Sequence, residues 1–271
     1  MTAPHHVGPP TRLPWFEVRL PRARGDFTWI YLWGAPLRFS HWLSALSLVV
    51  LFATGIFISQ PLFVTNGEAS SHFLMGRFRF THFLAASILM MGGIIRVYWF
   101  FAGNEFERWS ALWPFTRRNF RAMGLLLKSY ATINPKIQPH FVGHNPLAQV
   151  AYTSIYIGTT IMIITGFTMY GQSNPGGFFY TIFAWVPSLM GGLQNVRVTH
   201  HLFSWLYPIF FSIHIYLVIR SDYLERGGVV SSMFTGGTYV SSHDKFEDCD
   251  LGEHPSVPWH TGEHPWQTPP Q

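Results

Sequence analysis

Four stretches of this chain, at about 36–59, 78–102, 147–170 and 198–220, each exceed the roughly 20 apolar residues that a bilayer-crossing helix needs. Backbone polar groups in lipid must be satisfied internally, so the fold class expected is an all-α membrane protein, a bundle of four transmembrane helices. Composition agrees, with 48% hydrophobic and only 11% charged residues, against about 25% charged in soluble domains. Polar, proline-containing sequence from Met1 to Arg24 takes the place of a charged end, an apolar run and a small-residue cleavage site. The first span is therefore expected to act as its own uncleaved signal.

Charge placement predicts the orientation. Arg12, Arg19, Arg22 and Arg24 crowd the N-terminal arm, with Arg38 at the start of the first span. The connection between the second and third spans carries Arg108, Arg117, Arg118, Arg121, Lys128 and Lys136. Connections 61–76 and 173–196 contain no Lys or Arg, although Arg77, Arg79 and Arg197 mark their junctions with the helices that follow. By the positive-inside rule both termini and the long connection are expected to be cytoplasmic. The net charge of +5 then reads as topology and calls for no nucleic-acid partner. The chain divides into an arm (1–35), a bundle (36–222) and a cytoplasmic tail (223–271) expected to be extended or disordered. That tail repeats Gly252-Glu253-His254-Pro255 as Gly262-Glu263-His264-Pro265, near Trp259 and Trp266. Within the long connection, Arg117 to Tyr130 reads as a basic amphipathic helix lying on lipid with Leu125 to Leu127 buried.

The last span holds His200 and His214, fourteen residues apart. On one continuous helix that spacing falls within about 40° of whole turns and sets the imidazoles roughly 21 Å apart on one face, room for two stacked haems. His201 would point about 140° away from His214, which favours His200. His41 and His82 lie near the starts of the first two spans. Depth matching pairs His82 with His200 at the outer level and His41 with His214 at the inner. Two imidazoles on each iron leave no open position, so such centres exchange electrons at the haem edge. A lone intramembrane histidine can instead hydrogen-bond a carbonyl or a neighbouring helix; the joint pattern of four favours ligation. His72, in the outer connection, and His140 and His144, in the cytoplasmic one, are weaker rivals. Cys249 is the only cysteine, which excludes C-x-x-C-H haem attachment, an iron-sulfur cluster and a disulfide within the chain.

Gly55, Gly92, Gly93, Gly158 and Gly166 lie within the spans, where they serve either a haem face or close helix packing. Haem propionates call for cationic donors: Arg77, Arg79 and Arg197 at the outer level, Arg38, Arg96 and Arg220 at the inner. Snorkelling to the interface is the competing reading for each. A quinone headgroup would bind beside the inner haem, near Arg38, Ser40, Asp222 and Tyr223, with Asp222 or Glu225 opening a proton path. Pro208, between the two histidines of the last span, removes a backbone hydrogen bond and is expected to kink the helix.

The segment Ala35-Pro36-Leu37-Arg38-Phe39-Ser40-His41-Trp42, the motifs Gly67-Glu68-Ala69-Ser70, Phe73-Leu74-Met75-Gly76 and Arg79-Phe80-Thr81-His82-Phe83, the run Gly143-His144-Asn145-Pro146-Leu147-Ala148, and Thr199-His200-His201-Leu202 with Trp205 and His214-Ile215-Tyr216 resemble the b-type cytochrome subunit of membrane-bound uptake NiFe hydrogenases. The resemblance runs from about Tyr31 to about Thr238. It implies a four-helix anchor with two haem b groups for a periplasmic hydrogenase, which has a small iron-sulfur subunit and a large NiFe subunit. Electrons would pass from the small subunit through the outer and then the inner haem to membrane quinone, and the anchor would do no chemistry on hydrogen itself. The family's ligand pattern falls on His41, His82, His200 and His214. An equivalent di-haem anchor for another periplasmic dehydrogenase, such as a formate dehydrogenase, stays open, as does a haem-free transporter whose histidines relay protons. A higher oligomer is also left open. The partner would dock on connections 61–76 and 173–196, where Phe178, Phe179, Tyr180, Trp185 and Pro187 suit either a partner surface or an aromatic belt.

Overall fold

A computed structural model describes residues 22–24, 27–63, 67–68, 72–132, 137, 139–225 and 227–241. Arg12, Arg19, Ala69, Ser70, Ser71, Lys136 and the tail from Ser242 onward, with Cys249 and its repeat, lie outside the described residues, as do the side chains of Arg22, Arg24, Arg118 and Glu225. The chain begins with two strands, β1 (Arg22–Arg24) and β2 (Phe27–Tyr31), followed by helices α1 (Ala35–Ser59) and α2 (Leu74–Ala102). A 3-10 turn (Trp109–Leu112) leads to α3 (Arg117–Thr132) and α4 (Pro146–Gly171). Then come α5 (Phe178–Phe183), α6 (Trp185–Met190), α7 (Leu193–Ser204), α8 (Leu206–Glu225), α9 (Val229–Thr235) and β3 (Gly237–Ser241). Four helical runs are long and apolar enough to cross a membrane: α1, α2, α4 and the continuous path Leu193–Leu224.

Local sequence explains where these helices start. Prolines stand in the first turns of α1 and α4, where a missing N–H costs nothing, and the Asn145 side chain accepts from the Ala148 N–H at 2.9 Å as an N-cap. The second span begins at Leu74, four residues before the sequence-based start, and the last begins at Leu193. That last span is not one helix. It breaks at Trp205, between α7 and α8, one turn before Pro208. A proline ring collides with the carbonyl four residues back, here that of Ser204, where α7 stops. The kink expected at Pro208 is therefore found just ahead of it, and His200 and His214 sit on two successive helices.

Close packing joins α1 to α2, and α4 to α7 and α8. Between these two groups runs a seam crossed by side chains: Phe52 to Trp205 (5.5 Å between ring centroids), Phe83 to Tyr170 (4.8 Å) and Phe100 to Tyr156 (5.6 Å). The structure separates the two roles open to the glycines. A Cβ on Gly92 would meet the Ser44 hydroxyl at 3.2 Å and one on Gly158 would meet Leu206 at 2.8 Å, so these two serve helix packing. One on Gly93 would meet nothing within 4 Å. Phe39, Leu46, Val49, Ile94, Phe101, Ile157 and Ile209 point outward, as lipid-facing side chains do.

The start of the tail is folded, contrary to the extended reading. Strand β3 pairs antiparallel with β2 in the order β1-β2-β3, with Trp29 opposite Tyr239. Leu32, Trp33, Val142 and Val240 bury a small core beneath this sheet, together with Leu37, Phe106 and Met233. The sheet and α9 thus clasp one end of the bundle. Glu107, 1% exposed, fastens the same end. Its carboxylate accepts from the Gly34 N–H at 2.5 Å, the Trp99 indole at 2.9 Å and the Asn104 N–H at 3.2 Å, while Asn104 donates to the Leu32 carbonyl at 2.8 Å. Helix α3 forms where expected, and within the fold it encloses Leu126, in line with Ala122 and Ser129, while Leu125 and Leu127 stay 41% and 55% exposed. Residues 122, 126 and 129 share one helical face, and α3 packs against α4.

Gly236 tests the clasp. Its φ is +90°, its carbonyl accepts from the Leu32 and Trp33 N–H groups, and a Cβ would meet the Trp33 carbonyl oxygen at 2.9 Å. Gly236→Ala is expected to destabilise by about 1–3 kcal/mol, whereas Gly93→Ala leaves stability unchanged or raises it by up to about 1 kcal/mol. Thermal unfolding of the two purified variants in detergent measures the contrast.

Candidate functional site

His41 of α1 and His214 of α8 face each other across the seam with ring centroids 6.3 Å apart. Metal–imidazole bonds of about 2.0–2.1 Å put the centroids of two imidazoles on opposite sides of one metal roughly 6–6.5 Å apart. The pair therefore has the separation that a shared metal requires. His214 stacks on Phe210, one turn earlier, at 5.5 Å and 12°, and Tyr152 lies 6.4 Å away. His41 meets Trp42 edge-on at 5.2 Å, and its Nδ1 is buried with no hydrogen-bond partner among the described residues.

The second pair is His82 of α2 and His200 of α7, within electrostatic reach of each other. The Thr54 Oγ1 lies 2.9 Å from the His82 Nδ1, and the Thr165 Oγ1 lies 2.9 Å from the His200 Nδ1. A Cβ on Gly55 would meet the His82 Cε1 at 3.4 Å, and one on Gly166 would meet the His200 Cε1 at 3.3 Å. So each ring is held by a threonine and admitted by the glycine that follows it. His201 is exposed and touches Trp205 at 6.5 Å, so His200 is the residue brought to the bundle interior. His72 is exposed in its connection.

Three of the four histidines end the same short pattern: Arg38-Phe39-Ser40-His41, Arg79-Phe80-Thr81-His82 and Arg197-Val198-Thr199-His200. Residues three apart share a helix face, so each arginine sits one turn nearer its helix start than the imidazole. Arg77, Arg79 and Arg197 are exposed; Arg38 is half-buried, donates to the Phe234 carbonyl, and has a buried Nε without a partner. Asp222 has a buried Oδ1 that is likewise unpartnered, Tyr223 is 80% exposed, and Ser40 is buried and donates to the Leu37 carbonyl at 2.9 Å. Arg220 lies over the Tyr130 ring at 4.7 Å.

Sequence reasoning set His144 aside, yet the structure buries it close to the His41–His214 pair. It packs 4.8 Å from Trp33 and 4.8 Å from Tyr152, the ring that also touches His214, and its Nδ1 has no partner. Burial, and then the nearby Arg96 charge, push its pKa down to about 3, so the ring is neutral at ordinary pH. Arg96 itself is buried, donating to the Tyr156 hydroxyl and the Glu107 carbonyl at 3.1 Å each and lying 4.3 Å over Phe100. The available signals were an arginine inside an apolar span and the Gly143-His144-Asn145-Pro146 motif.

Among the described residues no group of three or more His, Cys, Asp or Glu side chains is placed to hold a metal ion. Paired imidazoles suit a macrocycle-bound iron, which asks the protein for two axial ligands only. The histidine pairs, the glycines beside the outer rings and the side-chain seam fit haem b.

Comparison with known proteins agrees with this geometry. Residues 32–236 match the family model described as prokaryotic cytochrome b561. A probable Ni/Fe-hydrogenase B-type cytochrome subunit of Cupriavidus necator is 42% identical over 209 residues, 76% of this chain and 85% of the relative. Proteins with corresponding descriptions are 39% identical over 212 residues in Azotobacter chroococcum (77% and 88% covered) and 32% identical over 213 residues in Escherichia coli K12 (76% and 89% covered). With four apolar runs, histidines paired across their seam and this match over most of its length, the chain belongs to the prokaryotic cytochrome b561 family.

Proposed function

We propose that this chain is the membrane-anchoring electron-transfer subunit of a periplasm-facing Ni/Fe hydrogenase, carrying electrons from the small-subunit iron-sulfur cluster through two bis-histidine b haems to membrane quinone. The observation that carries the reading is the pairing of histidines across the seam, one from each helix group, at two levels. A haem b held by such a pair supplies reversible one-electron exchange and binds no reactant at its iron. His82 and His200 hold the outer group, His41 and His214 the inner. The relatives' descriptions as hydrogenase cytochrome subunits favour hydrogenase over another periplasmic dehydrogenase.

The chain's other residues bind and orient. Arg79 and Arg197, one turn outward from the outer ligands, and Arg77 beside them receive the outer propionates. Toward the inner face, Arg38 and Asp222, each with a buried unpartnered polar atom, border the quinone headgroup, with Tyr223 at the lipid-facing rim. Connections 61–76 and 173–196 form the docking face. In the second of these Phe178 and Trp185 are exposed at 71% and 53%, while Phe179 stacks inward on Phe167 at 4.7 Å.

Reduced-minus-oxidised spectra with haem extraction on the complex are expected to give two b haems per chain, and one each in His82→Ala and His214→Ala. Hydrogen-to-quinone electron transfer should fall at least about tenfold in both, an effect of over 1.4 kcal/mol. Absence of haem from the folded wild-type chain would sink the reading, and co-purification with a different dehydrogenase would move it to another partner. Orientation has its own test, because Cys249 is the only thiol. An impermeant thiol reagent should leave it unlabelled in intact spheroplasts and label it after permeabilisation; labelling without permeabilisation would reverse the topology.

A further inference from the structure

The two histidine pairs differ in what meets the imidazole Nδ1 atoms. At the outer pair the surroundings are duplicated. Thr54 donates its hydroxyl proton to the Val50 carbonyl at 2.7 Å, and Thr165 donates to the Ile161 carbonyl at 2.7 Å. A hydroxyl has one proton, so at the 2.9 Å contacts each threonine oxygen accepts from the imidazole, His82 Nδ1–H and His200 Nδ1–H. The Leu51 and Met162 carbonyls, each three residues before its threonine, lie within reach of the same rings. Both rings are thereby fixed as the Nδ1–H tautomer with Nε2 free for iron. The pattern repeats between helix groups: a Thr-Gly helix (α1, α4) supports the histidine of its neighbour (α2, α7). At the inner pair the His41 Nδ1 is buried and has no hydrogen-bond partner among the described residues.

We propose that Thr54 and Thr165 are positioning residues that set the outer haem at a lower potential than the inner one, so that electron flow from the outer to the inner face runs downhill. This rests on the di-haem reading above. An imidazole that donates its Nδ1–H to an acceptor becomes a more basic ligand, which favours ferric over ferrous iron. Two such donors act on the outer iron, whereas one ligand of the inner iron lacks the interaction. The asymmetry is built into residues that touch neither haem iron nor quinone.

Redox titration of the complex tests this, with each haem assigned in the variant that lacks the other, His82→Ala leaving the inner and His214→Ala the outer. The expected results are a lower midpoint for the outer haem in the wild type, an upward shift of that midpoint alone in Thr54→Val and Thr165→Val, and wild-type values in Thr54→Ser and Thr165→Ser. An outer midpoint equal to or above the inner would overturn the proposal, as would valine substitutions that leave the outer midpoint in place or move both haems equally. Should valine empty the outer centre, the wild-type order of midpoints and the serine variants still decide. A wild-type chain without haem would instead remove the reading beneath it.

Discussion

An imidazole inside a bilayer needs polar partners from the protein or a bound group, because no water is present to take the part and a nitrogen left without one costs several kcal/mol. The arrangement of this bundle follows from that need. Each of the four histidines turns away from lipid into one seam, and each faces a histidine of the opposite helix group. The His82 and His200 rings meet threonine hydroxyls at Nδ1, and the His41 and His214 rings lie among Phe210, Tyr152 and Trp42. Helix packing is close within each group and left to side chains between them, where a flat macrocycle would slide in.

The ends of the bundle hold that seam in register. Glu107 ties the end of α2 to the start of α1, about two turns from His41, and the β2–β3 pairing brings the tail back over the N-terminal arm. Leu32 and Trp33, between strand and helix, hydrogen-bond Gly236 on one side and fill the small core on the other. His144 enters through this junction. The clasp thus does more than close the fold, since it seats a buried neutral imidazole two rings away from His41 through Tyr152 and His214.

The four spans and the four histidines were legible because bilayer thickness and helical period act on sequence directly. The fourteen-residue spacing was read on one continuous helix, a premise that does not hold, yet the break at Trp205 leaves both rings in the seam. Pro208 announced the break but not its position, which depends on a carbonyl one turn earlier. Thr54 and Thr165 were invisible, because a threonine bonded to its own helix carbonyl is common and nothing marks the few that also meet a ring. The folded start of the tail was missed for a related reason. Strand β3 gains its partner from a segment some two hundred residues away, and no local pattern in Gly237–Ser241 foretells it. Glycine roles were ambiguous in the sequence because close helix packing and contact with a ring both require a missing side chain.

The central claim is that each iron lies between one histidine of α1 or α2 and one of α7 or α8. An experimentally determined structure of the haem-loaded complex tests it most directly. Two irons per chain are expected, one held by His82 and His200 and the other by His41 and His214. A single iron, or one ligated by His144, His201 or His72, would contradict it.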